Sequence, residues 1–331
     1  MSAGSAFLDG LMRVKRAPWL VLGLWLSTLL LALPLSLALQ GLIGEHLGAS
    51  LAAQSAAAGV NYDWWNEFLA QSTGVGKTFV PAILGFAAIL QNLSGVADAA
   101  GPPSPVVWVV VAQLIVSTFL IGGVLDRLAR DRAIGVGAFF AACGVYFLRF
   151  LRLSVVTLAV YAWLFVPVHR WLFGSVYDSL LVDLTVERTA FFYRAALYGA
   201  FALLVLAANL VFDYAKVRAV VEDRRSMIGA LAAGIRFVRR NLIAAIGLYA
   251  LNALAFVAVL FLYYLAAPGA TAGNLAFAIG QLFIVLRVIV RLQFAASQTA
   301  LFQGRLAHAG YVARPVPKWP ESPAAEAIGP A

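Results

Sequence analysis

Asp126, Asp213 and Arg287 stand at one shared position in three stretches that align, "VLDRLAR" (124–130), "VFDYAKVR" (211–218) and "VLRVIVR" (285–291). Two carboxylates and a guanidinium gathered among apolar helices form an intramembrane ion network. Such a network can act as a gate or proton-coupled site, or more plainly as an ion pair that fixes how helices dock. Arg287 lies about 12 residues into its apolar run, with ~10 Å of hydrocarbon expected beneath it. Arg291, one turn further on, is expected to snorkel to the interface.

A second group sits in "NYDWWNEFLAQ" (61–71), expected to be a helix capped at Asn61 or Asp63. Asp63 and Glu67, four apart, share a face, and paired carboxylates can do acid–base chemistry. His46 is the nearest histidine in sequence and has nothing at ligand spacing. Trp64 and Trp65 read as interfacial anchors, so Asp63, Trp64, Trp65 and Glu67 are assigned to an outer interfacial segment. No phosphate loop, zinc helix, nucleophile elbow or dinucleotide fingerprint occurs. His169 and His308 fall at opposite ends of the topology. The single cysteine, Cys143, lies among small and apolar neighbours and reads as a core residue. No metal, no cofactor and no enzymatic activity are expected.

The elements that position these residues follow from composition. The 331 residues are 63% hydrophobic and 12% charged, with a mean hydropathy of +0.89. A water-soluble chain carries about 25% charged residues. Several apolar runs reach the roughly 20 residues needed to cross ~30 Å of hydrocarbon. The chain reads as an all-α polytopic membrane protein with spans near 17–43, 106–125, 153–172, 193–212, 242–266 and 275–294. The basic start followed by an apolar run imitates a signal peptide, but 17–43 is too long for an h-region and is taken as an uncleaved first span. Within an outer insertion, 44–105, the twelve apolar residues 79–90 are too few to cross and read as re-entrant or interfacial.

With six spans and both termini inside, only Lys77, Arg170, Arg188 and Arg194 of the 24 Lys and Arg fall outside. The acids divide almost evenly, so the asymmetry belongs to the bases, as the positive-inside rule requires. The net charge of +9 is therefore read as orientation and anionic-lipid contact rather than nucleic-acid binding. The expected location is a bacterial cytoplasmic (inner) membrane.

Three further stretches look alike: "GLMRVK" (10–15), "GVYFLR" (144–149) and "GIRFVR" (234–239). Each runs from Gly to a base just before a bulky span. They suggest three repeats, each an interfacial elbow followed by a hairpin of two spans. On that reading a helix at 133–148 lies along the inner interface and the chain turns at Arg149 and Arg152; the rival is that 133–148 crosses as a seventh span. Lys15, Arg149, Arg152, Arg239 and Arg240 are assigned to lipid headgroups. The basic, amphipathic segment 213–240 suits anionic lipid, or a partner membrane protein. The tail 312–331, rich in Pro and Ala, is expected to be disordered.

The pattern "VEDRRS…ALAAGIRFVRRN" (221–241), an acid–base helix leading into an elbow and span, resembles the membrane domain associated with bacterial glycerophosphodiester phosphodiesterases. It also resembles related six-span bacterial membrane proteins. The likeness extends loosely over 10–310. No stretch offers the His and Glu constellation of the soluble phosphodiesterase domain, and the 44–105 insertion departs from the pattern. The resemblance thus implies a membrane scaffold rather than hydrolysis. The leading functional reading is a non-enzymatic protein that organises lipids or partners through its basic elbows. The alternatives are a transporter or transporter subunit and a lipid-processing enzyme.

Overall fold

A computed structural model of the chain describes residues 1–48, 50–59, 61–80, 84–267 and 273–306, so the 312–331 tail lies outside the described residues. Every regular element among them is helical. Six helices are long and apolar enough to cross a membrane: Pro18–Leu47 (α2), Ser104–Arg130, Val136–Leu181, Glu187–Val221 (α9), Leu242–Ala266 (α11) and Gly273–Arg305 (α12). The protein is an all-α polytopic membrane protein. In the second of these, α6 (Val107–Arg130) follows a single 3₁₀ turn; in the third, α7 (Val136–Trp163) continues through two π-helical stretches into α8 (Tyr177–Leu181). Two amphipathic helices, α1 (Ala3–Lys15) and α10 (Met227–Arg240), precede α2 and α11. The 44–105 segment holds α3 (Ala53–Ala58), α4 (Tyr62–Gln71) and α5 (Gly85–Ala97).

Local chemistry explains the boundaries. Ser2 and Ser5 close a capping box at the start of α1, and Ser226 caps α10 by accepting from Gly229 N at 3.2 Å. Pro18 sits at the first position of α2, where its missing N–H costs nothing. α6 ends at Asp131 and the turn after α9 contains Asp223; both adopt φ +47°, the left-handed conformation that stops a helix.

The expected turn at Arg149 does not occur. α7 runs unbroken from Val136 past Arg149 and Arg152, so 133–148 supplies neither a separate elbow nor a seventh span. The reason is local. Arg16-Ala17-Pro18 separates α1 from α2 and Asn241 separates α10 from α11, but no Gly, Pro or Asn interrupts 145–153. The sixth span also extends eleven residues beyond 294, to Arg305. Within the 44–105 segment the later part of the apolar stretch 79–90 lies in α5, at Gly85–Ala97, thirteen residues and too short to cross.

The buried core lies toward one end of the bundle, called here the basic end. It combines α1, α10, the last turns of α6, α9 and α12, the first turns of α11 and the stretch of α7 around Phe150. Small residues allow the close crossings expected between membrane helices. A Cβ on Gly10 would lie 2.7 Å from the Ser297 backbone of α12, and one on Gly123 would lie 2.5 Å from Cys143 Sγ of α7. Toward the opposite end a smaller cluster gathers around Leu164, Leu172 and Phe201, and α2 has no buried residue at all.

Candidate functional site

The densest polar cluster is a seam along the last four turns of α12, where Gln293, Ser297, Gln298, Thr299 and Gln303 are all buried. Their amides and hydroxyls reach four neighbouring elements. Gln293 Nε2 donates to the Phe7 carbonyl of α1 (2.7 Å), and Ser297 Oγ accepts from Asn252 Nδ2 of α11 (3.1 Å). Arg13 of α1 donates to Gln303 Oε1 (2.7 Å), to the Leu128 carbonyl of α6 (2.9 Å) and to Asp9 (2.9 Å). Gln303 Nε2 in turn donates to the Ala129 carbonyl (2.9 Å). Polar groups removed from water must be paired in this way, and the pairing fixes one arrangement of α1 against α12.

Asp213 of α9 is the charged centre of the seam. Its carboxylate accepts from Lys216 Nζ (3.1 Å), from Gln298 Nε2 (3.2 Å) and from the Tyr249 hydroxyl of α11. Donors from three helices converge on it. No histidine or nucleophile stands beside it, so its geometry is that of a joint rather than a reaction centre.

The expected Asp126–Asp213–Arg287 network does not form. Asp126 pairs within its own helix, with Arg130 at 2.8 Å. Arg287 is exposed, lies over the ring of Phe283 (5.9 Å), and has no carboxylate at ion-pair distance among the described residues. The register is the cause. With α12 ending at Arg305, the residue level with Asp213 is Gln298, eleven positions beyond Arg287.

The bases assigned to headgroups divide into two kinds. Lys15, Arg152, Arg239 and Arg240 are exposed. Arg149 is engaged by protein: it bridges to Asp223 Oδ1 (2.5 Å) and lies over the Tyr146 ring (5.2 Å). Arg16 makes the matching bridge to Asp131 (2.5 Å). Each ties a helix of the basic end to the left-handed aspartate that follows a neighbouring helix.

In the 44–105 segment, Asn61 caps α4 by accepting from Trp64 N at 3.0 Å. Trp64 is not an interfacial anchor. It is buried in a small aromatic core, stacked on Phe68 (5.4 Å) and near Phe79, and its Nε1 donates to His46 Nδ1 (3.0 Å). Trp65 Nε1 donates to the Phe79 carbonyl (3.2 Å), Glu67 accepts from Gln71 (3.1 Å), and Asp63 is exposed. Asp63 and Glu67 therefore make no paired site. At the same end of the bundle, a groove of about 400 Å³ runs along the π-helical stretch, lined by Phe165, Val166, His169, Arg170, Phe173 and Gly174. His169 Nε2 is engaged there by the Ala97 carbonyl (2.7 Å). Among the described residues no three His, Cys, Asp or Glu side chains gather in a metal-holding group.

Sequence reasoning does not single out the polar seam, and its spacing alone does not reveal it. Gln293, Ser297 and Gln303 fall among apolar residues in "LQFAASQTALFQGR" (292–305), which reads as a tail leaving the membrane until its partners are known.

No protein-family model, no curated protein and no solved structure matches this chain.

Proposed function

We propose that this integral membrane protein organises anionic lipid at its basic end, which faces the cytoplasm, through α1 and α10. The observation that carries the reading is the second face of each helix. One face is spent on the core: Ala6, Gly10 and Val14 in α1, and Ala230, Ala233, Gly234, Phe237 and Val238 in α10. Beside it each helix keeps exposed apolar residues next to bases: Leu8, Leu11 and Met12 with Lys15, and Ile228 and Ile235 with Arg239. A helix already packed on protein gains nothing from such an edge in water. At a headgroup boundary the apolar side chains enter the acyl region and the bases meet phosphate.

The three Gly-to-base stretches support a repeated plan without requiring three elbows: α1 packs on α12, α7 on α6 and α10 on α9. The test is lipid retention by the full chain after detergent extraction. Neutralising Lys15, Arg239 and Arg240 together should reduce bound phosphatidylglycerol more than neutralising Lys77, Arg170 and Arg188 at the opposite end. Equal retention would remove the reading. A transport role is the second reading, and the observation that favours it is a pair of arginines within α12.

A further inference from the structure

Arg287 and Arg291 lie within the apolar thickness of the bundle, not at its edge. α12 is antiparallel to α11: Tyr263 stacks on Phe283 (4.4 Å) near one end, and Tyr249 meets Phe294 (5.4 Å) near the other. Both arginines fall between those two levels. α11 is 25 residues with no charge, ~37 Å long, close to the thickness of a bilayer. By that ruler Arg291 is ~15 Å from the α10 end of α11, and Arg287 is ~10 Å from the other end. At these depths each guanidinium lies more than one helical turn inside the span rather than at its end.

Both lie on one face of α12. Positions 280, 287, 291 and 298 are seven, four and seven apart, one stripe of a helix. At its ends the stripe meets protein: Leu84 approaches Gly280, and Gln298 binds Asp213 of α9. The opposite side of α12 carries exposed Leu282, and Gln293 bound to α1. Trp25 of α2 binds Gln281 on one flank, and α11 lines the other. The two guanidiniums thus share the face of α12 that runs from Gly280, beside Leu84, to Gln298, bound to Asp213, and both are exposed.

Two cations one turn apart repel each other, and a guanidinium in hydrocarbon is costly unless paired. Among the described residues neither has an acidic partner. α11 and α12 contain no Asp or Glu, and the nearby acid, Asp213, is already saturated by Lys216, Gln298 and Tyr249. No described residue supplies the compensating charge, and an anion from outside the protein would. Guanidiniums at this spacing suit an oxyanion that accepts several hydrogen bonds. We propose that Arg287 and Arg291 form a binding site, between the spanning helices, for a phosphate-bearing anion. This site is separate from the lipid contacts of α1 and α10 and does not depend on them.

The experiment uses the full chain carrying Lys15→Gln, Arg239→Gln and Arg240→Gln, so that the basic end contributes little. Retained phosphatidylglycerol is counted by native mass spectrometry against phosphatidylcholine, and the thermal midpoint of delipidated protein is followed with inorganic phosphate. Adding Arg287→Gln and Arg291→Gln should lower phosphatidylglycerol retention at least tenfold if the anion is a lipid headgroup. It should abolish the phosphate-dependent rise in midpoint if the anion is soluble; either result supports the site and identifies its source. Arg287→Lys with Arg291→Lys should give an intermediate loss, because charge is kept and the planar fork is not. If the double glutamine variant does not fold, each single glutamine variant is read by the same two measurements. Unchanged retention together with an unchanged phosphate response would overturn the proposal.

Discussion

Arg149 of α7 holds Asp223, the residue that turns the chain after α9, at 2.5 Å. The bridge fixes the level at which α7 passes the end of α9 and takes Arg149 out of the pool of free bases. Its strength is bounded by exposure: the Asp223 side chain is 69% exposed and the Arg149 side chain 16%. A double-mutant cycle of Arg149→Met with Asp223→Asn should give a coupling of about 1 kcal/mol or less, reduced by added salt. The single Arg149→Met variant should cost more than the coupling, since it also removes the contact with the Tyr146 ring. A cycle measured by thermal unfolding in detergent that shows no coupling at any salt concentration would disprove the bridge.

The glycines of the three similar stretches should respond differently to alanine. Gly10 abuts the Ser297 backbone, so Gly10→Ala is expected to cost about 1–3 kcal/mol of overpacking. At Gly234 the nearest atoms lie at 3.2 Å and the cost should be smaller. Gly144 faces open space, and Gly144→Ala should stabilise by up to about 1 kcal/mol through helix propensity. Thermal midpoints of the three variants check the order. Equal effects at Gly10 and Gly144 would show that α1 does not cross α12 at Ser297.

The joint at Asp213 makes its own prediction. Tyr249→Phe removes a hydroxyl that donates to a carboxylate, and hydrogen bonds to charged groups are worth roughly 1.5–3 kcal/mol. Stability should fall by that order, while Arg287→Asp with Asp213→Arg should restore nothing, because the two residues do not meet. Recovery in the swapped variant would reinstate the ion network that the structure separates.

The six spans were legible because apolar runs of this length have few other uses. The ends of the helices at the basic end were not. At α12 the polar residues from Gln293 to Gln303 look like a departure from the membrane, yet α1, α6, α9 and α11 bond to them, and only the fold supplies those partners. That single misjudged boundary displaced Arg287 from mid-helix toward an end and created a cluster with Asp126 and Asp213. At Arg149 likeness to two true helix ends outweighed the local signal, which contained no residue able to stop a helix. Trp64 of α4 and His46 of α2 stand 18 residues apart in the sequence; their hydrogen bond depends on how the segment folds back on the end of α2.

Orientation is open to direct labelling. In a Cys143→Ser background, Ala133→Cys lies in the turn between α6 and α7 at the basic end, and Gly101→Cys precedes α6 at the other. With the basic end in the cytoplasm, an impermeant thiol reagent added to intact cells should label position 101 and reach position 133 only after permeabilisation. The reverse pattern would invert the topology and, with it, the leaflet from which lipid is recruited.

The central claim is that α1 and α10 rest in the lipid boundary by their exposed apolar edges. Spin labels at Leu8→Cys and Ile235→Cys, with Lys15→Cys and Arg239→Cys as neighbours, measure this in bilayers containing anionic lipid, again in the Cys143→Ser background. Leu8 and Ile235 should collide with oxygen more than with a water-soluble relaxant, at a depth of about 5–10 Å, with the two basic positions shallower. Labels at Leu8 and Ile235 that respond chiefly to the water-soluble relaxant would place both helices in the aqueous phase and contradict the account.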